Sequence, residues 1–318
     1  MGSPWWHLEY QRNVLLSHAL APSSFNTYRT GINHYLRFCR RLAIRPLPLS
    51  EPVLENFCVS LHHRVAYKSI KVYLCGVQFW SKLCGGWVLI EHMPRLEYVL
   101  RAIRRVQGNS FARPVRTPIT WRLLKSICRY IVLTELPFDR DMWLAAVLLA
   151  FFGLLRVSEY TSPSPACLSE DALSFRDVTI CWQRRIAFVH IKKSKTDPFR
   201  LGVTIRVSAL AHPLCPVRAL ERFIARRGTL PGPLFRFQNG AFLTRSRVFE
   251  LLARSLPYVP NVNTHSFRRG GATALAAAGV RDNVIQVLGR WRSDAYTRYI
   301  QLPDEFFTQA NEDMTREG

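Results

Sequence analysis

The sequence predicts a mainly α-helical chain that carries one small antiparallel β-sheet and divides into two domains. Three observations point there. The length, 318 residues, exceeds one average domain and falls short of three. Apolar residues recur at helical spacing from 20 to 107 and again from 216 onward. Between those regions, over 178–207, the period shortens to that of β-branched strands. A hydrophobic share of 48% with 12% aromatics supplies real cores and excludes a largely disordered chain.

Residues 1–19 read as an N-terminal extension, and 20–108 as a compact helical domain of about four helices. Ser23-Ser24 offers a helix N-cap, followed by Tyr28, Ile32, Tyr35, Leu36 and Cys39 along one face. Ser50 precedes a second helix with Glu51 in its first turn, where the helix dipole favours an acid. Ala66–Leu83 is a third helix, stopped by Gly85-Gly86, and Leu96–Val106 a fourth, stopped by Gly108. Residues 109–119, with two prolines and two arginines, read as a basic linker. The second domain, 120–301, opens with helices at Trp121–Leu133 and Arg140–Leu155. Three short strands, Val178–Trp182, Ile186–Ile191 and Gly202–Val207, form the antiparallel sheet. Helices follow at Val217–Arg227, Arg245–Ser255, Ser266–Ala278, Asp282–Val287 and Asp294–Ile300. Residues 302–318 are a C-terminal tail.

Charge narrows the partner. Lys+Arg number 44 against 22 Asp+Glu, a net +22 with a pI near 10.4. Residues 1–115 hold 15 basic and 5 acidic side chains, and 116–318 hold 29 and 17, so both halves are basic bodies. Such self-repulsion calls for a polyanion, with nucleic acid first and an anionic membrane surface second. A membrane-spanning reading fails, because the longest apolar run, Met142–Leu155, has fourteen residues, short of the roughly 20 needed. The N-terminus lacks a charged-then-apolar signal layout, and Trp6 breaks the myristoylation pattern. The eight cysteines have no Cys-x-x-Cys pair and no paired histidines at ligand spacing, so they read as reduced thiols rather than a metal site.

Four segments can carry chemistry. THSFRRGGATALAAAGV (264–280) crowds small residues on one helix, inviting close approach by another backbone, and sets His265 and Arg268 near its start. FFGLLRVSEY (151–160) ends an apolar helix on Arg156, with Glu159 as its partner. IKKSKTDPFR (191–200) places three lysines in the turn between the second and third strands. LGRWRSDAYTRYI (288–300) carries Trp291, Tyr296 and Tyr299. Taken singly, each has a bland reading: a helix cap, an ion pair, a solvated turn, core aromatics.

Together, the order Arg156, Lys195, His265-x-x-Arg268, Trp291, Tyr299 resembles the tyrosine recombinases, the phage-integrase family. The resemblance covers 120–300 by motif, and 20–107 fits the family's core-binding domain by size and position. The SKTD hairpin and the GRW–SDAYTRYI segment look most like the eukaryotic transposon branch of Crypton and DIRS/Ngaro type. That likeness implies a helical core-binding domain joined to an α+β catalytic domain.

It also implies roles. Arg156 and Arg268 clamp a phosphate, Lys195 is the general acid, and His265 hydrogen-bonds the phosphate and assists the nucleophile. Trp291 donates its indole N–H where many relatives carry His, Tyr299 is the nucleophile, and Glu159 supports the site. Arg113, Arg116, Lys192, Lys193 and Arg269 are candidate DNA contacts. Metal-free phosphodiester cleavage suits this set, since tyrosine can form a covalent ester that conserves the bond energy and arginine forks can neutralise the oxyanion. Two departures stand out. Trp replaces His at 291, and the step from Trp291 to Tyr299 is eight residues where nine is commoner in bacterial relatives. Tyr296 and Lys193 are therefore rivals to Tyr299 and Lys195.

The implied activity is site-specific cleavage and rejoining of double-stranded DNA through a 3′-phosphotyrosine, serving recombination, integration or transposition of a mobile element, with no cofactor and no metal. The implied assembly is a homo-tetramer on two duplexes, without a membrane. The acidic tail, with Phe306, Ala310 and Met314 on one face beside Phe307, docks on a neighbouring protomer. Alternatives are a type IB topoisomerase-like activity, or a domesticated DNA-binding protein that has lost catalysis. The branch resemblance implies a nuclear location in a eukaryote, and otherwise the cytoplasmic chromosome.

Overall fold

The computed structural model describes residues 4–111, 114–167, 171–194, 197, 199–298 and 300. The chain divides into two units, 1–113 and 114–318, and the division falls inside the basic stretch 109–119.

In the first unit, α1 (Pro4–Ser17) is a helix the sequence did not announce, for its apolar residues do not gather on one face. Trp5, Trp6, Leu8, Tyr10 and Leu15 are all exposed. Four helices follow: α2 (Pro22–Arg41), α3 (Glu51–Leu61), α4 (Tyr67–Leu83) and α5 (Pro94–Gln107). The second helix begins at Pro22, with Ala21 in the cap position rather than either serine, because proline's fixed φ suits a first turn. Helix α2 packs on α4, and α3 on α5. Tyr35, Phe57, Ile70, Leu74 and Leu96 fill the space between them. The α2–α4 contact depends on two glycines. A Cβ on Gly31 would lie 2.5 Å from the Tyr73 Cα, and one on Gly76 would lie 2.8 Å from the Tyr28 carbonyl. Buried Gln107 closes the unit, donating to the His62 and Val65 carbonyls and accepting the Tyr67 N–H at 2.7–2.9 Å.

The second unit is built round α7 (Pro137–Phe152), whose residues 141–151 are all buried. The apolar run in the sequence is thus a core helix, and among the described residues no helix is long and apolar enough to cross a membrane. Helices α6 (Trp121–Thr134), α9 (Pro216–Arg227) and α11 (Ser266–Ala277) pack against it. Asp141, buried near its start, meets Arg222 and Arg226 at 2.9 and 2.8 Å. Strands β1 (Val178–Cys181), β2 (Ile186–Ile191) and β3 (Val203–Ser208) form the antiparallel sheet in the order β1-β2-β3. Ala187, Val189 and Ile191 of β2 turn into the core, as the period-two pattern requires. Helices α8 (Val157–Tyr160), α10 (Arg245–Ser255) and α12 (Asp282–Gly289) complete the unit. The expected helix at 294–300 is instead a 3₁₀ turn over Asp294–Arg298. None of the eight cysteines forms a disulfide, and four of them (39, 58, 128 and 215) are buried. Burial pushes the Cys58 and Cys128 thiols up to about 12.

The small residues of α11 bring it against its neighbours. A Cβ on Gly270 would lie 1.9 Å from the Ile119 carbonyl oxygen, and one on Gly271 would lie 2.6 Å from that of Phe151. Both obstacles are backbone, which cannot swing away. Gly270→Ala should therefore destabilise the second unit by about 2–3 kcal/mol or more, through overpacking. Urea unfolding compared with Ala272→Gly, which removes a methyl nearby without a clash, is the measurement.

Candidate active site

Helix α7 ends where its apolar run meets Gly153 and Leu154, and Leu154 takes a left-handed φ of 48°. The turn delivers Arg156 to the N-cap of α8, a helix of only four residues. Glu159, one turn on, folds back. Its Oε2 accepts the Arg156 N–H at 2.9 Å, and its Oε1 accepts Arg156 Nη1 at 2.9 Å. The pairing of Arg156 with Glu159 expected from the sequence is present, and the Glu159 side chain is wholly buried. The rest of the Arg156 guanidinium meets no acceptor among the described residues.

Two more arginines reach the same corner from more than a hundred residues away. Arg268 projects from the first turn of α11 and is 1% exposed. Its guanidinium donates to the carbonyls of Leu154 and Gly289. The Gly289 carbonyl ends α12, where helix carbonyls lack intrahelical partners and carry partial negative charge. Arg290, just after α12, takes a left-handed φ of 57° that turns its side chain back. It donates to Glu159 Oε2 at 2.7 Å and to the carbonyls of Gly153 and Leu154 at 3.3 Å. Burial lowers its pKa, and Glu159 opposes that. Among the described residues, Glu159 is thus one carboxylate serving two guanidiniums, with a third beside it. The positive surplus is in place for an anion.

Trp291 is buried under Arg268, whose Cζ stands 4.2 Å from the ring centroid. The contact is of cation–π type. A Cβ on Gly289 would fall within the Trp291 ring, so that position requires glycine. The ring also packs against Tyr296, Ile285, Ala272 and Leu154 in a small cluster of their own.

His265 precedes α11 and is partly buried. Burial, then the charges of Arg116, Arg245, Arg268 and Arg156, lower its pKa to about 4. The imidazole is therefore neutral at neutral pH, with one nitrogen free to accept a proton. The shift has a sign for stability. Folded His265 titrates below the ordinary 6.5, so the unfolded chain binds the extra proton first, and stability is lost as pH falls from about 6.5 through about 4. His265→Asn should flatten that slope, by about 1–2 kcal/mol over the window once solvent screening of the partly exposed ring is allowed for. Unfolding free energies of both proteins at pH 7, 5.5 and 4.5 would check it.

The other residues singled out by sequence fall as follows. Lys192 pairs with Asp177 at 3.0 Å and Lys193 with Asp171 at 2.6 Å, so both hairpin lysines are held by acids. Arg116 lies within electrostatic reach of His265. Arg269 follows Arg268 on α11 and is partly buried. Lys195, Tyr299, Arg113 and the tail 302–318 lie outside the described residues. Tyr296, the rival nucleophile, is buried at its ring and hydrogen-bonded to Asp282, and its pKa is raised. No three His, Cys, Asp or Glu side chains among the described residues gather as a metal site.

Sequence reasoning missed Arg290. The signal was present, since Arg290, and not Trp291, stands nine residues before Tyr299.

No family model matches the chain, and no curated protein does. Solved structures do. The chain is similar to the XerH site-specific recombinase bound to palindromic difH substrate in a post-cleavage complex, at 16% identity and a TM-score of 0.62, over 92% of this chain and 79% of that one. It is similar to the Tn1549 transposon integrase in complex with transposon right-end DNA, at 16% identity and 0.61, over 97% and 98%. A lambda integrase dimer bound to a COC′ core site matches at 16% and 0.60, over 95% and 96%. The chain has the tyrosine-recombinase fold.

Proposed function

We propose that this protein cleaves and rejoins double-stranded DNA at specific sites through a tyrosine–phosphate ester, in recombination or integration of a mobile element. The observation that carries the reading is the corner at Arg156: three guanidiniums and a neutral imidazole, drawn from distant segments, about one buried carboxylate. That surplus suits a phosphodiester in a place with little water, where fixed charges act strongly.

In this reading Arg156 engages the non-bridging oxygens with the guanidinium edge that Glu159 leaves open. Arg268 adds its charge from beneath, held by two carbonyls and the Trp291 face. The Tyr299 oxygen attacks phosphorus, the Tyr–O–P bond forms and the bond to the 5′-oxygen breaks. The tyrosine proton passes to His265, whose depressed pKa rises toward neutrality once the phosphate's negative charge is bound. Lys195 supplies the proton that the departing 5′-oxygen takes. Attack by a 5′-hydroxyl of a second duplex reverses every step, so no external energy is required. Arg113, Arg116, Lys192, Lys193 and Arg269 track the DNA backbone, with Lys192 and Lys193 exchanging Asp177 and Asp171 for phosphates. The tail 302–318 joins protomers into a tetramer on two duplexes.

The test is covalent capture. Duplexes drawn from the flanks of the protein's own gene, each carrying a 5′-bridging phosphorothiolate, are incubated with the protein in EDTA and run on a denaturing gel. The reading requires DNA-linked protein. Tight, salt-sensitive binding without any adduct would favour a DNA-binding protein that has lost catalysis.

A further inference from the structure

Arg290 turns back from the end of α12 toward Glu159 and the end of α7. It gives Glu159 one hydrogen bond and two carbonyls the others. Its side chain is 10% exposed, and that of Glu159 is 0% exposed. An arginine in a left-handed backbone conformation is uncommon outside glycine and asparagine, so the local conformation is costly and the contacts it makes must sustain it.

The arithmetic of charge gives the reason. Arg156 and Glu159 alone form a neutral pair, because the carboxylate takes both the Arg156 backbone N–H and Nη1. A neutral pair has little pull on an anion. Adding Arg290, which donates to the Oε2 that also accepts the Arg156 backbone N–H, makes the trio +1. Glu159 still fixes the orientation of Arg156, while its negative charge is answered elsewhere.

We infer that Arg290 is a positioning residue that cancels the charge of Glu159, leaving the full charge of the Arg156 guanidinium to a phosphate. The inference deepens the DNA strand-transfer reading and rests on it for the identity of the phosphate as a phosphodiester. The electrostatic claim itself concerns any phosphate at Arg156.

The experiment therefore has two readouts. In the first, inorganic phosphate is titrated into the full chain, and the ring proton signals of His265, assigned with His265→Asn, report binding beside Arg156. Arg290→Met should weaken phosphate about tenfold or more, and Arg290→Lys should stay within about threefold of the parent. Glu159→Gln combined with Arg290→Met removes both charges and should recover most of the lost affinity. A merely structural Arg290 yields no such recovery. A double variant as weak as Arg290→Met, or an Arg290→Met protein that binds phosphate like the parent, overturns the inference. If the double variant fails to fold, Arg290→Lys against Arg290→Met decides alone, with equal weakening of the two counting against it. The second readout is the rate of covalent adduct formation at saturating DNA in the same proteins. Absence of adduct from the parent protein would remove the strand-transfer reading, and the phosphate titration would still judge Arg290.

Discussion

On the proposed strand-transfer reading, Tyr299→Phe should abolish covalent attachment to DNA, to below about one part in a thousand of the parent rate, and leave DNA affinity within about threefold. Removing one hydroxyl oxygen takes away the nucleophile but none of the positive charge that binds the backbone. The nearest rival is poorly placed to substitute. The Tyr296 ring packs against Trp291, its hydroxyl is engaged with Asp282, and its pKa is raised above that of a free tyrosine. The measurement pairs a single-turnover capture assay with a binding titration at fixed salt.

The second large effect concerns stability. Arg268→Leu should destabilise the second unit by about 2–4 kcal/mol, the range expected when two buried carbonyls lose a donor. The Leu154 and Gly289 carbonyls would lose their shared donor, Leu154 would keep its bond from Arg290, and the Trp291 face would lose its cation. Arg268→Lys keeps a charge but cannot reach both carbonyls with one planar fork, so it should recover less than half of the loss. Denaturant unfolding of the three proteins, followed by tryptophan fluorescence, gives the values. Loss of Arg268 should also lower adduct formation in whatever fraction remains folded, by roughly 10²–10³-fold.

The sequence announced the parts of this molecule that local chemistry decides. The run Met142–Leu155 could only be a buried helix, and α7 is one. The β-branched stretches paired as a three-stranded sheet, because alternation puts Ala187, Val189 and Ile191 on one face. The glycines and alanines after Arg268 signalled a close approach, and Ile119 and Phe151 make it. Arg156 with Glu159 was legible as a pair three residues apart on one short helix.

What stayed hidden was decided at long range. Arg290 was not singled out, and its spacing from Tyr299 does not reveal that a left-handed turn aims it at a carboxylate 131 residues away. Arg268 was expected to face a phosphate, and its burial against two carbonyls depends on where α7 and α12 end. Trp291 drew attention as an indole donor, while its ring face holds Arg268. Helix α1 had no apolar face to betray it, and its tryptophans remain exposed. Residues Asp294–Arg298 form a 3₁₀ turn, and Tyr296 within it joins the Trp291 cluster, a contact that no local pattern announced.

On the proposed reading, a tyrosine of this chain forms an ester with DNA at the positive corner around Glu159. Adduct captured on the phosphorothiolate duplex, digested with nuclease and protease and sequenced by tandem mass spectrometry, locates the linkage directly. The expected result is a nucleotide on the Tyr299 oxygen, with none on Tyr296, and no adduct from Arg156→Ala. A nucleotide on Tyr296, on a serine or on a cysteine would contradict it.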